Sequence, residues 1–505
     1  MSILTLFILL PLLTIMGILV VRKPDNIRAL ARTGTGLQLL LSFILIPLYL
    51  SGIKNDASDN MLFVENLMWF GSLNIHFVTG ADGITIVMLV LGSLAAFAAV
   101  FLTQDGDNKP REYYVTLLLT VSASSGFIVS IDMVTGFMFF AGILVPFFIL
   151  QSIKAKENEI ASSMKFILIP AGGAALLLVG LLGVYMNSAP DGNYLTFNIT
   201  DIQKYLMNRA PQKVFFTMVF TGFAVIGGMA PFSIWLPGSI SSLSPELRSY
   251  YSGIIIKLGI YGAFRFGINL MPEGAQDVSL FFLLLAATGT VLGSVLTIFE
   301  KDLRKILIWS SLSFSGLIFF ALLLLNKEAL TGAILMMFSH GTAVILLFAI
   351  AGMKNSQSHT TEARSIFRSR KHLLVLSVVF FVAVLILGGI PGSVGFIGWR
   401  SLISAFLNVN EPIRKIAAYV VLLSMALVIV FILIVALRML LSSAGTAELN
   451  KKERGKYRVK FSEKMAIVIL FLLPLAAGMF PSWILSLINT GLRPLLERIG
   501  TINPL

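Results

Sequence analysis

Apolar runs of about 20 residues, the length that crosses a hydrocarbon core, recur along the whole chain between short polar stretches. They fall near 2–21, 33–52, 82–103, 113–131, 133–151, 162–186, 213–240, 249–270, 278–299, 304–325, 329–353, 373–408, 416–441 and 464–488. This pattern predicts an all-α polytopic membrane protein with about 14 transmembrane helices. Two windows are too long for a straight helix and are interrupted. The first, 213–240, breaks around Gly227, Gly228 and Pro231; the second, 373–408, breaks at "GGIPGSVG", residues 388–395. Each is the fourth member of a five-span set, 113–270 and 278–441. Matching broken helices in two halves are the sequence signature of inverted repeats around an ion or substrate path, although proline and glycine kinks also occur in membrane helices without function. The expected organisation is three N-terminal spans over 1–112, a first repeat over 113–270, a second over 278–441, and a basic loop with a last span over 442–505.

Charge sets the expected orientation. Of 505 residues, 57% are hydrophobic and only 12% charged, yet the net charge is +13. With loops assigned alternately to two sides, one side carries 24 Lys and Arg and the other, with both termini, carries nine. By the positive-inside rule the richer side is cytoplasmic and both termini lie outside. The excess charge is therefore a topology signal, not a nucleic-acid footprint. "KNSQSHTTEARSIFRSRKH" and "KKERGKYRVK" read as anchoring cytoplasmic loops. The first apolar run has no small-residue cleavage site after it and reads as a span. Zero cysteines exclude disulfides and thiolate metal sites, and four scattered histidines argue against a histidine-built metal centre. Phosphate-cradling and dinucleotide motifs find no strand–helix context; "GSVGFIG" lies inside a membrane break.

Several segments resemble the antiporter-like membrane subunits of respiratory complex I. "WLPGSISSLSPELRSYYSGIIIKLGIYGAFRF" is similar to the family's WLPDAH, Pro, LLK–YG–LRF segment. "EKDLRKILIWSSLSFSG", "ALTGAILMMFSHGTAVILLFAIAG", "GGIPGSVGFIGW" and "HFVTGADGITIVMLVL" follow other family motifs, collinearly from about residue 60 to 440. Length favours the M-type chain of a bacterial NADH-quinone oxidoreductase. Mrp-type cation/proton antiporters and membrane-bound hydrogenases share the fold and remain the alternative. The resemblance implies a chain of the bacterial inner membrane without cofactors of its own. Flavin, Fe–S clusters and quinone would sit with partner subunits, and neighbouring antiporter-like chains and the bilayer would surround it.

The family's half-channels use a Glu in span five, a Lys at the first break, a central Lys and an acid or Lys at the second break. Carried over by flanking landmarks, these positions give an unexpected set. Ala141 stands for the Glu, Ile226 for the first Lys and Trp399 for the acid, while Phe314 replaces a usual histidine. Lys257 matches the central lysine. As an isolated charge it would cost about 3 kcal/mol at mid-membrane, so a partner, water or neutralisation is required. His340 aligns with a family histidine and suits a proton relay or plain packing. Arg400, just past the second break, holds its proton too tightly to relay it and reads as a field-setting charge. Arg304 and Lys305 end span ten and read as snorkelling or interface charges. The resemblance thus implies an antiporter-like M-type subunit whose own channel is weakened or silent and which serves coupling or scaffolding. A path still conducting through Lys257 and His340 is the competing expectation.

Overall fold

The computed structural model describes residues 2–55, 61–71, 75–103, 109–154, 160–188, 195–204, 207–358, 374–445 and 459–502. Both long basic loops of the sequence fall largely outside these: all of 359–373 and 446–458. Six helices open the fold: α1 (Ile3–Val20), α2 (Pro24–Asn55), α3 (Gly83–Phe101), α4 (Pro110–Val129), α5 (Met133–Lys154) and α6 (Ile160–Met186). A short turn, α7 (Ile199–Ile202), precedes α8 (Arg209–Gly227), α9 (Leu236–Ser241), α10 (Pro245–Tyr250) and α11 (Ile256–Gly262). The second half contains α12 (Pro272–Phe299), α13 (Leu303–Leu323), α14 (Lys327–Ser358), α15 (Leu374–Leu387), α16 (Val394–Leu407) and α17 (Pro412–Gly445), then α18 (Phe461–Met479) and α19 (Ser482–Ile502).

Twelve of these helices are long and apolar enough to cross a membrane. The 249–270 window is instead assembled from α10, α11 and two π-turns, Tyr251–Ile255 and Ala263–Ile268, and the 373–408 window from the shorter α15 and α16. The innermost helices are apolar all round, as the 3.6-residue period requires of a fully enclosed helix. The membrane-length part of α14 is wholly buried, and α3 and α13 nearly so, whereas α1, α2, α17 and α18 keep most of their surface outward.

Two elements depart from the helical expectation. Antiparallel strands β1 (Leu62–Phe70) and β2 (Ile75–Ala81) form a hairpin between α2 and α3. The hydropathy pattern predicts no span between residues 52 and 82, and the hairpin occupies that gap. The 464–488 window is also divided. α18 stops at Met479, and after Pro481 a separate helix, α19, begins. Its buried residues Ile484, Leu487, Ile488, Leu492 and Leu495 recur every three or four positions, so one face docks on the bundle. That docking is tight. A methyl group on Gly83, the first residue of α3, would overlap the Leu487 carbonyl, and one on Gly491 would meet Ile84.

Both predicted breaks are present. α8 ends at Gly227, and Gly228 takes the left-handed backbone (φ 81°) that glycine adopts without steric cost. In the second break Gly389 and Gly392 have φ 83° and 87°, and α16 restarts where the Ser393 hydroxyl accepts the Phe396 N–H.

Candidate functional site

The site is built where the first break meets the helix carrying Lys257. Gly227 is wedged between Gly259 of α11 and the Phe319 ring of α13, and a side chain on Gly259 would overlap the Gly227 backbone. Only glycines permit this approach. The contact fixes α11 so that Lys257 is fully buried. Its ammonium donates to the Ser252 carbonyl at 2.6 Å, five residues back. That spacing follows from the π-turn over 251–255: widening one turn turns a carbonyl away from the regular i→i−4 ladder, and the lysine takes it.

The same π-turn touches α14 through backbone. Gly253 and Gly341 face each other so closely that a methyl on Gly341 would stand 3.0 Å from the Gly253 carbonyl. Ser252, which anchors Lys257, and His340 immediately precede these two glycines. Lys257 and His340 therefore flank one helix crossing, so the structure brings both sequence candidates together. His340 Nδ1 and Ser252 Oγ are buried there without a hydrogen-bond partner among the described residues, as is Ser339 Oγ, which lies against Gly395 of the second break.

Around this crossing three of the four positions expected to be polar, Ile226, Phe314 and Trp399, lie in two separate, largely apolar clusters, called here the first and second seal. Ile226 lines an enclosed space with Phe140, Phe147, Phe166 and Leu258, among others; its volume is about 10 Å³, and the Tyr251 hydroxyl is the single polar side-chain group in the lining. A water needs about that much volume and two to four polar partners. In the second seal Phe314 lies between His340 (ring centroids 4.6 Å apart) and Trp399 (6.2 Å). The Trp399 indole N–H donates to the Leu387 carbonyl at 3.0 Å, closing a backbone group freed by the second break. α13 connects the seals, because its Leu312 and Ser315 press on Gly228 while Phe314 faces the other way. Ala141 is half-buried and stands apart from the first seal, whose α5 lining comes from Phe140, Ile143 and Leu144.

The three remaining charges are peripheral. Arg400 is exposed, on the face of α16 turned away from buried Trp399. Arg304 pairs with Asp302 at 2.7 Å, and exposed Lys305 reaches Glu300 at 4.0 Å.

One charged cluster escaped the sequence reading. Arg265 and Asp82 form an ion pair at 2.7 Å with side chains only 1% and 4% exposed. Asp82 accepts the Thr85 N–H at 2.8 Å and caps α3; Arg265 also donates to the Thr85 hydroxyl at 2.8 Å and to the Tyr261 hydroxyl at 3.2 Å. Tyr261 in turn donates to the Ile128 carbonyl at 2.9 Å. Lys257, Tyr261 and Arg265 are spaced i, i+4, i+8, so they share one face of the interrupted helix.

A family model described as NADH:quinone oxidoreductase/Mrp antiporter, transmembrane, matches residues 130–424, more than half of the chain. The chain belongs to this family. The matched residues include both breaks, Lys257 and His340, so the family region contains the whole crossing just described. NADH-quinone oxidoreductase subunit M of Rickettsia prowazekii is 27% identical over 98% of this chain and 99% of its own length. Among solved structures, a chain of respiratory complex I from Thermus thermophilus superposes with TM-score 0.83 at 21% identity, covering 99% of each chain. A chain of the Mrp complex from Dietzia sp. DQ12-45-1b gives 0.78 at 19% identity over 98% of this chain and 97% of its own. These two likenesses show a shared fold. Within this family member, the ladder of hydroxyls on α4 is ordinary helix chemistry: Thr116, Thr120 and Ser124 each donate to the carbonyl four residues back.

Proposed function

We propose that this chain is an M-type antiporter-like subunit of a complex I-like NADH:quinone oxidoreductase, and that it couples neighbouring subunits while its own first half-channel is closed. The subunit assignment is supported by full-length similarity to subunit M relatives. The closure rests on one observation above others, the apolar lining of a space of about 10 Å³ around Ile226, to which the helix carrying Lys257 contributes Ile255 and Leu258. A proton crossing there would leave its hydration shell with a single hydroxyl as substitute, a penalty of many kcal/mol. Lys257 then acts as a structural donor that holds the π-turn. The electron-carrying groups, flavin and Fe–S clusters, and the quinone belong to partner subunits in this reading. The positive loops face the cytoplasm and both termini face outward, in a bacterial inner membrane. The proposed units are the N-terminal helices 1–112, repeats over 113–270 and 278–441, and the segment 442–505.

A second reading has its own support. Ser252 Oγ and His340 Nδ1, at the crossing next to Lys257, are buried without hydrogen-bond partners among the described residues, and such groups ordinarily bind water. A path from Lys257 through His340 would use them. Lys257→Met in the intact complex, reconstituted in liposomes, separates the two. Closure predicts an unchanged ratio of protons delivered to electrons transferred. A reproducible fall in that ratio at normal electron flux overturns it in favour of conduction.

A further inference from the structure

The second break lies at the depth of the membrane centre. A methyl group on Gly388 would stand 3.0 Å from the Ile429 side chain, near the middle of the membrane-length part of α17. One on Gly395 would stand 2.8 Å from Ser339 Oγ, near the middle of that part of α14. Between the two glycines the chain leaves the helix, and Pro391 and Gly392 are exposed at its surface. A methyl group on Gly392 would meet nothing within 4 Å, and the Gly392 N–H bonds no carbonyl among the described residues. Irregular backbone at this depth is stable only against protein or water, because hydrocarbon offers its N–H and C=O groups no partner.

The same surface carries a charge. Phe396, Arg400, Ile403 and Leu407 are all exposed. They recur every three or four residues and so form one outward stripe of α16 that starts beside the break. Arg400 makes no hydrogen bond or ion pair among the described residues. Its route to water is long: the polar Asn408 that ends the helix is about 12 Å further along the axis. Helical side chains also lean toward their own N-terminus, here toward the break and the membrane centre. An arginine so placed ordinarily pairs with another ionisable group. Residues 359–373 and 446–458 join α15, α17 and α18 at the end remote from Asn408, so the counter-charge is sought across the exposed face.

We propose that this face docks a transmembrane helix of a neighbouring subunit, which sets an Asp or Glu carboxylate against Arg400 and covers the break at Pro391 and Gly392. The proposal takes from the reading above only that the chain works within a multi-subunit membrane complex. Charge complementarity selects the partner, since a wholly apolar helix or a lipid tail would cover the stripe and leave the guanidinium without an acceptor. Removing one member of a charge pair shielded in an interface weakens binding about 30-fold or more.

The test uses the intact complex carrying photoreactive Phe396→benzoylphenylalanine, one turn from Arg400, with the charge left in place. Expected is an adduct with another membrane subunit, mapped by mass spectrometry to a membrane helix that has an Asp or Glu within about one turn. No adduct, an adduct only with lipid or only within this chain, or a helix lacking such an acid overturns the proposal. In a detergent titration R400Q should retain that subunit about 30-fold less well than wild type, and equal retention also overturns it. Should R400Q fail to assemble, R400D combined with exchange of the mapped acid for arginine decides: recovered assembly supports the pair and continued failure overturns it. The enzyme subunits that co-purify test the broader reading separately, because a complex without NADH-oxidising subunits overturns that assignment whether or not the adduct forms.

Discussion

Trp399→Phe isolates what the second seal contributes. The indole N–H of Trp399 bonds the Leu387 carbonyl at 3.0 Å, and its ring is 8% exposed against Phe314. Phenylalanine keeps an aromatic ring there but leaves the carbonyl buried and unpaired, which costs about 1–3 kcal/mol. The smaller ring also forfeits about 1 kcal/mol of packing. The sum, about 2–4 kcal/mol, acts where Gly389 and Gly392 already hold left-handed backbone and few ladder bonds cross. It should therefore appear as easier local opening of the break before any global unfolding. Hydrogen–deuterium exchange of peptides covering 385–400 in the purified complex reads this directly. Exchange should rise roughly 30- to 1,000-fold, following the tenfold per 1.36 kcal/mol rule, while peptides of α12 stay unchanged. The same variant should leak protons, seen as a lower steady membrane potential at unchanged electron flux. Unaltered exchange over 385–400 would show that Trp399 merely fills space and that the seal argument is wrong.

Three further perturbations test other parts of the reasoning. Asp82→Met leaves Arg265 buried without its counter-charge and should destabilise the subunit by about 3–5 kcal/mol, whereas D82M/R265M together should cost much less; dissociation midpoints of wild type, D82M, R265M and D82M/R265M in a double-mutant cycle give the coupling, and additive effects would refute the pair. Gly259→Ala forces apart α11 and the broken end of α8 and should prevent the chain from assembling with its partners, measured by co-purification. Asp132 lies between α4 and α5, where burial raises its carboxyl to about 6 against the Val134 and Thr135 N–H groups that favour the charged form. The folded state thus holds that proton more tightly than the unfolded chain does. The resulting stabilisation is full below about 4 and is lost as pH rises through about 6. Asp132→Asn should flatten the stability profile between about pH 4 and 6 and raise the midpoint at pH 7.5; a slope identical to wild type over that window would count against it.

Much of the site was legible before any coordinates. Both breaks, the buried lysine and the apolar replacements at Ile226, Phe314 and Trp399 follow from hydropathy, glycine and proline placement and the motifs around them. Lys257 carried its own signal, since a charge in mid-span demands a partner. The partner's identity did not follow, because a carbonyl released by a π-turn leaves no trace in residue type. Arg265 carried the same signal within "YGAFRF" and was passed over. Its counter-ion stands 183 residues earlier in sequence, and only the packing of α3 against the interrupted helix brings Asp82 to it. The β-hairpin was missed for a different reason: β1 exposes most of its residues, including Leu67, Met68, Trp69 and Phe70, so the alternation that normally marks a half-buried strand is absent. α19 was merged with the preceding span because a window averages hydropathy without regard to face.

The buried charges fall into two groups along the interrupted helix. Lys257, Tyr261 and Arg265 lie on one helix face, yet the first bonds the backbone of its own helix while the last two tie α3, α4 and the interrupted helix together. A side chain that gates transfer must exchange partners, and Arg265 is poorly suited to that because its donors already engage Asp82, Thr85 and Tyr261. Movement of the interrupted helix would therefore pivot about the Arg265 end and be felt at Lys257, two turns away. From there the glycine contacts carry it to α8 through Gly227 and to α14 through Gly341. Contacts between backbones transmit displacement without needing charge or water. The coupling role proposed for this subunit would use that mechanical connection and would need no ionisable residue at Ile226 or Trp399.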